Sequence, residues 1–223
     1  MESLPQPRRT FYTIVVKRCL DILLSGFALL VLSPLLLMLV ILELIFHGRP
    51  IFYSQKRPGL HGKIFSIYKF RSMSNQCDEQ GNLLPGSQRL TAFGRFIRRY
   101  SLDELPELWC ILKGDMSIIG PRPLLPEYLP YYTPRHMQRH SVRPGLTCEP
   151  LHPMKTWTWN DQFENDLDYI QHMSFCVDVA EVFAVFRAAM RGSEYRVEDT
   201  RGGFNGKNLY SDAETSGKEH QKE

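Results

Sequence analysis

The chain has 223 residues, 43% hydrophobic and 23% charged, with a formal net charge of +3 and a mean hydropathy of -0.27. These averages exclude a polytopic membrane protein, a disordered chain, a collagen-like repeat and a large multidomain enzyme. Five cysteines (Cys19, Cys77, Cys110, Cys148 and Cys176), odd in number and with no CxxC pair, argue against a disulfide framework or a zinc site and for reduced thiols.

The averages conceal a block structure. Residues 1–21 form a basic N-terminal segment with Arg8, Arg9, Lys17 and Arg18. Ile22 to Leu42 then runs for 21 residues without a charge, which at about 1.5 Å per helical residue is roughly long enough to cross a hydrocarbon core. The run is too long, and starts too far in, for a signal peptide. On length alone it reads as a single transmembrane span. Two features favour a re-entrant helix over residues 22–46 instead. Cations flank the run on both sides, so the positive-inside rule keeps both ends on one face. At its middle, Ser33-Pro34 breaks the helix, because proline cannot bond to the Leu30 carbonyl; the Ser33 hydroxyl can serve the freed carbonyls. The residues alone leave both topologies open.

From Arg49 to Leu102, ten Lys or Arg stand against Asp78 and Glu79, whereas from Asn160 onward thirteen acids face seven bases. The basic block points to anionic partners. Residues 47–192 are enough for one compact domain. The pattern predicts strands over Ile51–Gln55 and Ile64–Phe70, a polar loop over Asp78–Ser87, and helices over Thr91–Arg99 and Leu102–Leu112. A rigid turn at Gly120-Pro-Arg-Pro123 follows. Leu125–His140, Gln162–His172 and the amphipathic Phe175–Met190 complete the helices, and 193–223 reads as a loosely held tail. The fold class is therefore α/β, mostly helical with a few short strands, in a compact cytoplasmic domain behind an N-terminal re-entrant membrane helix.

The candidate chemistry lies in Ser101-Leu-Asp-Glu-Leu-Pro-Glu-Leu108, just after Arg95, Arg98 and Arg99. Ser101 as N-cap and Glu104 at N3 compose a capping box. Equally, a carboxylate at a helix start among arginines can meet a phosphate, as nucleophile or metal ligand. Lys69, Arg71, Arg122 and Arg143 stand next to turn residues and together suit a pyrophosphate clamp, arginine for bidentate contacts and lysine as a point charge. His136 and His140, four apart, have zinc spacing but no third ligand. Trp157 and Trp159 suit core packing, interface anchoring or base stacking. There is neither a P-loop nor a GxGxxG element.

The order KRCLD (17–21), Ser33-Pro34, FYSQKRPG (52–59), IYKFRSM (67–73), LTAFGRFIRRYSLDELPELWCILKGDMSIIGPRPLLPEYLPYY (90–132) and RHSVRPGLT (139–147) resembles the bacterial sugar transferases. More narrowly, it is similar to the small monotopic phosphoglycosyl transferases. The resemblance implies transfer of a phosphosugar from a UDP-sugar to undecaprenyl phosphate, with release of UMP, as the first membrane step of glycan assembly. It makes Asp103 the nucleophile of a covalent phosphosugar intermediate, Glu104 its acid–base companion, and Mg2+ near Asp103 the metal. Lys69, Arg98, Arg122 and Arg143 become phosphate contacts, and the membrane helix re-entrant at Ser33-Pro34. The implied place is the cytoplasmic face of a bacterial inner membrane, with membrane lipid as a partner, no nucleic acid, and apolar helices able to support a homodimer. One region departs from the family: after RPGLT the usual Ala-Gln-Val-Asn-Gly-Arg-like loop is replaced by Cys148-Glu-Pro-Leu-His-Pro-Met-Lys-Thr-Trp157, with Lys155 the nearest cation. That leaves three alternatives: different nucleotide-sugar contacts, an unusual sugar, or reduced activity. A catalytically silent membrane-bound scaffold of the same fold is the competing reading.

Overall fold

A computed structural model describes residues 4–148, 158–191 and 203–209. The divergent loop after Cys148, including Lys155 and Trp157, and most of the expected tail lie outside the described residues. The chain is mixed, mostly helical with short strands. It divides into two units: residues 1–21, 56–65 and 115–223 form one, and residues 22–55 and 66–114 form the other.

The apolar run becomes two helices. A π-type turn (Tyr12–Val16) leads into α1 (Lys17–Val31), and α2 (Ser33–Phe46) follows after Leu32 alone. The two axes bend by 62° at the break, and among the described residues no single helix is long and apolar enough to cross a membrane. The cause is local. Pro34 falls in the first turn of α2, where its missing N–H costs nothing inside that helix but ends the one before. Ser33 Oγ donates to the Leu30 carbonyl at 2.7 Å.

Two strands, β1 (Phe52–Pro58) and β2 (Ile64–Phe70), pair as a two-stranded sheet, of which residues 52–55 and 66–70 belong to the second unit. The first strand runs three residues past its expected end at Gln55, because extended backbone persists through Arg57-Pro58 and the connection closes only where Gly59 N donates to Lys63 O. A four-residue helix, α3 (Gly86–Arg89), interrupts what was expected to be loop, and α4 (Ala92–Arg99) starts at the Thr91 cap. The expected helix over Leu102–Leu112 is split. Leu102–Glu104 is a 3-10 turn, and α5 (Glu107–Lys113) begins only after Pro106, which has no N–H to continue the turn. Leu39 of α2, Phe70 of β2 and Ile97 of α4 form the core, with Leu35, Leu36, Val40, Phe93, Leu102 and Leu105 around it.

In the first unit, β3 (Ser117–Ile119) pairs in parallel with β4 (Gly145–Thr147), Ser117 against Gly145 and Ile119 against Thr147. Between them the expected helix over Leu125–His140 is three short pieces: a 3-10 turn Pro126–Tyr131, α6 (Pro134–Met137) and a 3-10 turn Gln138–Ser141. Pro130 and Pro134 prevent a continuous ladder. The next helix, α7 (Trp159–His172), starts three residues earlier than expected, because Thr158 and Asp161 form a reciprocal capping box. The last, α8, covers Phe175–Arg191. The N-terminal segment is tied into this unit: Tyr12, Lys17 and Tyr169 all bond to Asp178, and Asp21 accepts from Ser117 Oγ and Ile118 N. One part of the tail is not loose. Phe204 is 4% exposed and packs with Trp159 and Phe163, because the buried face of α7 presents an aromatic cleft that a Phe ring fills. Trp159 is thereby a core residue.

Candidate active site

Asp103 and Glu104 sit on the 3-10 turn of the second unit, and their neighbours explain why. Leu102 and Leu105 are three apart and turn inward onto the core of α2, β2 and α4, which leaves the two acids on the other side. Ser101 enters the turn with φ 54, in the left-handed region, and makes no side-chain cap. The capping-box reading therefore fails: the serine hydroxyl does not bond to the turn it precedes.

Just past the end of β2, the chain and α4 approach closely. A Cβ at Gly94 would lie 1.8 Å from the Ser72 carbonyl oxygen, so only glycine lets α4 seat against the segment that follows β2. That seating fixes Lys69 and Arg98 relative to the dyad. Lys69 Nζ is 2.6 Å from Glu104 Oε1 and 3.1 Å from Glu107 Oε1. Burial pushes the Asp103 carboxyl above the usual carboxylate range, and Glu104 adds to the rise; Lys69 and Arg98 oppose it. Two adjacent acids, one of them with a raised pKa, and a half-buried ammonium thus meet on one turn.

Arg71, also expected at the site, has another place. It is buried, and its guanidinium donates to the His47 and Pro50 carbonyls. It braces the end of α2, where His47 bridges Glu43 at 2.9 Å and the Thr91 hydroxyl at 2.8 Å. Arg122 and Arg143 belong to the first unit. There Arg122 is exposed in the turn after β3 and Arg143 half-buried before β4. His136 and His140 face aromatic rings, Phe163 and Tyr132.

The family model of the bacterial sugar transferases matches residues 12–192, a span that contains every one of these side chains. The chain belongs to the bacterial sugar transferase family. It is 44% identical over 167 residues to the uncharacterized sugar transferase EpsL of Bacillus subtilis (strain 168), covering 74% of this chain and 83% of that one. It is also 35% identical over 198 residues to the UDP-N-acetylgalactosamine-undecaprenyl-phosphate N-acetylgalactosaminephosphotransferase of Aeromonas hydrophila (85% of this chain). With the undecaprenyl-phosphate galactose phosphotransferase of Salmonella typhimurium the identity is 32% over 203 residues (79% of this chain). The sugar transferase chain described here spans less than half the length of those two phosphotransferases, 46% and 40%.

Sequence reasoning missed Glu107. It lies three positions after Glu104, a spacing that brings side chains together on successive turns, and that spacing was the signal available in the sequence. Arg57 and Arg139 were not among the expected site residues either; Arg139 is 3% exposed.

Proposed function

We propose that this sugar transferase moves a phosphosugar from a UDP-sugar to undecaprenyl phosphate, on the cytoplasmic face of a bacterial inner membrane, giving undecaprenyl-diphosphate-sugar and UMP. The observation that carries the reading is the dyad: Asp103, whose carboxyl burial raises, held beside Glu104 with Lys69 and Arg98 as counter-charges. The names of the Aeromonas and Salmonella relatives supply the acceptor class.

In the proposed first half-reaction an Asp103 carboxylate oxygen attacks the sugar-bearing phosphorus of the donor. The new O–P bond forms as the phosphorus–oxygen bond to UMP breaks, and UMP leaves with the electron pair. In the second, a phosphate oxygen of undecaprenyl phosphate attacks the same phosphorus, the bond to Asp103 breaks and the carboxylate is restored. Glu104 is the acid–base companion. Phosphoryl transfer needs positioning and charge neutralisation more than covalent chemistry from the protein; Lys69 and Arg98 stand on the same unit as the dyad for that task, and the family resemblance adds Arg122 and Arg143 as phosphate contacts.

Mg2+ binds through one or two carboxylates plus substrate phosphates and keeps several waters. Asp103 beside Glu104 fits that small donor set, and among the described residues no group of three ligating side chains offers an alternative. The bound ion would neutralise diphosphate charge. The bent α1–α2 pair supports a re-entrant anchor: Leu23, Phe27, Leu30, Leu37, Met38 and Ile41 are exposed apolar residues with no water-soluble reason to be so.

The test is UMP release from a panel of UDP-sugars with undecaprenyl phosphate present. Release with one or more donors, lost in Asp103→Asn with membrane attachment intact, is the expected result. Normal release by Asp103→Asn would overturn the nucleophile assignment, and no release by the unmodified chain with any donor would favour a silent scaffold.

A further inference from the structure

The turn that carries Arg122 is fixed by its backbone, carbonyl by carbonyl, from three directions within the first unit. Gly145 N donates to Pro121 O at 3.0 Å. Arg139 Nη2 donates to Arg122 O at 2.8 Å, and Arg57 Nη1 to Pro123 O at 3.1 Å. On the other strand, a Cβ at Gly145 would fall 2.1 Å from Gly120 N, so the two chains touch there. Pro121 and Pro123 hold their own φ near one value. Hence three consecutive carbonyls are bonded and two of the four residues are conformationally locked, while the Arg122 side chain is exposed.

Arg139 is itself over-determined. Its guanidinium bonds to Asp166 through Nε at 3.0 Å and Nη2 at 2.6 Å, and to the Tyr132 hydroxyl at 3.1 Å. Its Cζ lies 5.6 Å from the Phe163 ring centroid. Asp166 is fully buried and takes a further bond from Gln162. A buried ion pair of this kind is a poor source of stability, since apolar residues of similar volume often do as well. An apolar side chain could fill that space against Phe163 and Tyr132, but it could not donate to the Arg122 carbonyl.

We propose that Arg139 and Arg57 are positioning residues for donor binding: they fix the backbone of residues 121–123 so that Arg122 meets the diphosphate in one preset direction. This rests on the reading of Arg122 as a phosphate contact. A loose turn would have to be ordered on binding, and that entropy cost would reduce affinity. Neither arginine touches the ligand in this account; both act through Arg122.

The experiment is a double-mutant cycle on the affinity of the full chain for UDP, measured by calorimetry so that it depends neither on the sugar nor on turnover. Arg122→Ala weakens UDP binding about 10-fold, the scale of one lost hydrogen bond to a charged group; Arg57→Ala weakens it by up to the same factor, and Arg57→Gln, a neutral side chain that still donates, restores most of it. In the Arg122→Ala background Arg57→Ala has no further effect, because its only route to the ligand is gone. The same cycle with Arg139→Lys gives the same non-additivity. If Arg139→Lys melts out, the Arg57 cycle decides alone. Unchanged affinity in Arg122→Ala overturns the reading of Arg122 and the inference with it. Weakened binding in Arg122→Ala combined with an unchanged Arg57→Ala, or with effects that simply add, overturns the inference and leaves the reading standing.

Discussion

Lys69 Nζ lies 2.6 Å from Glu104 Oε1, a contact that joins the strand carrying IYKFRSM to the acidic dyad. The same ammonium reaches Glu107 and, with Arg98, acts on Asp103, so one cation faces three carboxylates. Removing it weakens the positive charge that holds those acids together.

Lys69→Met should therefore raise the Asp103 carboxyl further, because the attraction that opposes its rise is lost. Since the attacking group must be ionised, the acid limb of kcat/KM against pH moves to higher pH. Turnover near pH 7 falls about 100-fold, the usual scale for loss of one charged partner in a site. Lys69→Arg restores part of it. An unmoved acid limb would contradict the electrostatic role given to Lys69.

Asp103→Asn separates catalysis from stability. Burial and Glu104 raise this carboxyl, so between the ordinary carboxylate range and the raised value the folded chain binds the proton more tightly than the unfolded one. Its contribution to stability then falls as pH rises through that window. At neutral pH the amide removes that penalty. The melting temperature should stay level or rise while UMP release drops about 1000-fold or more. A melting temperature well below that of the unmodified chain would mark Asp103 as a structural residue.

His140 and His136 predict acid sensitivity. Burial, aided by Arg139, pushes His140 down to about 4, and burial lowers His136 as well. Both rings are held neutral in the fold. The stability His140 contributes is complete above the unfolded value near 6.5 and is lost as pH falls from there toward 4, and His136 acts in the same direction. Thermal melts between pH 7 and pH 4 should show a steep loss that is shallower in His140→Gln. Equal slopes would contradict it.

Much of this was legible in advance and some was not, for reasons that differ by residue. Ile64–Phe70 follows from a short run rich in Ile and aromatic residues after a Pro-Gly turn, and the helix ending at Arg99 from helical periodicity; both are local signals. The break at Ser33-Pro34 is equally local, since proline acts on its own turn. By contrast, Arg139 sits in a segment that reads as an amphipathic helix. Its burial depends on Asp166 and Phe163, 27 and 24 positions away in sequence, and no short window contains them. Phe204 was lost for the same reason: a polar neighbourhood predicts a tail, and only the cleft lined by Trp159 and Phe163 makes a core residue of it. At the dyad the residues gave the chemistry but also suggested a capping box, and the left-handed Ser101 decided against the box.

Phe204→Ala should cost about 3 kcal/mol, the usual price of removing a buried ring, read as a fall in Tm of roughly 10 °C for a chain of this size. Arg135→Ala should cost under about 1 kcal/mol, because its partner Glu164 and it are each 41% exposed and such pairs are screened by water. Similar costs for the two would contradict the assignment of Phe204 to the core.

The central claim is that Asp103 carries the phosphosugar between donor and acceptor. Incubation of the chain with a donor UDP-sugar that it turns over, without undecaprenyl phosphate, followed by rapid quench and peptide mass analysis, tests it most directly. The account predicts the added mass of one phosphosugar on the peptide that contains Asp103, chased away by undecaprenyl phosphate and missing in Asp103→Asn. Steady turnover of the same donor with no adduct on that peptide at any quench time would contradict it.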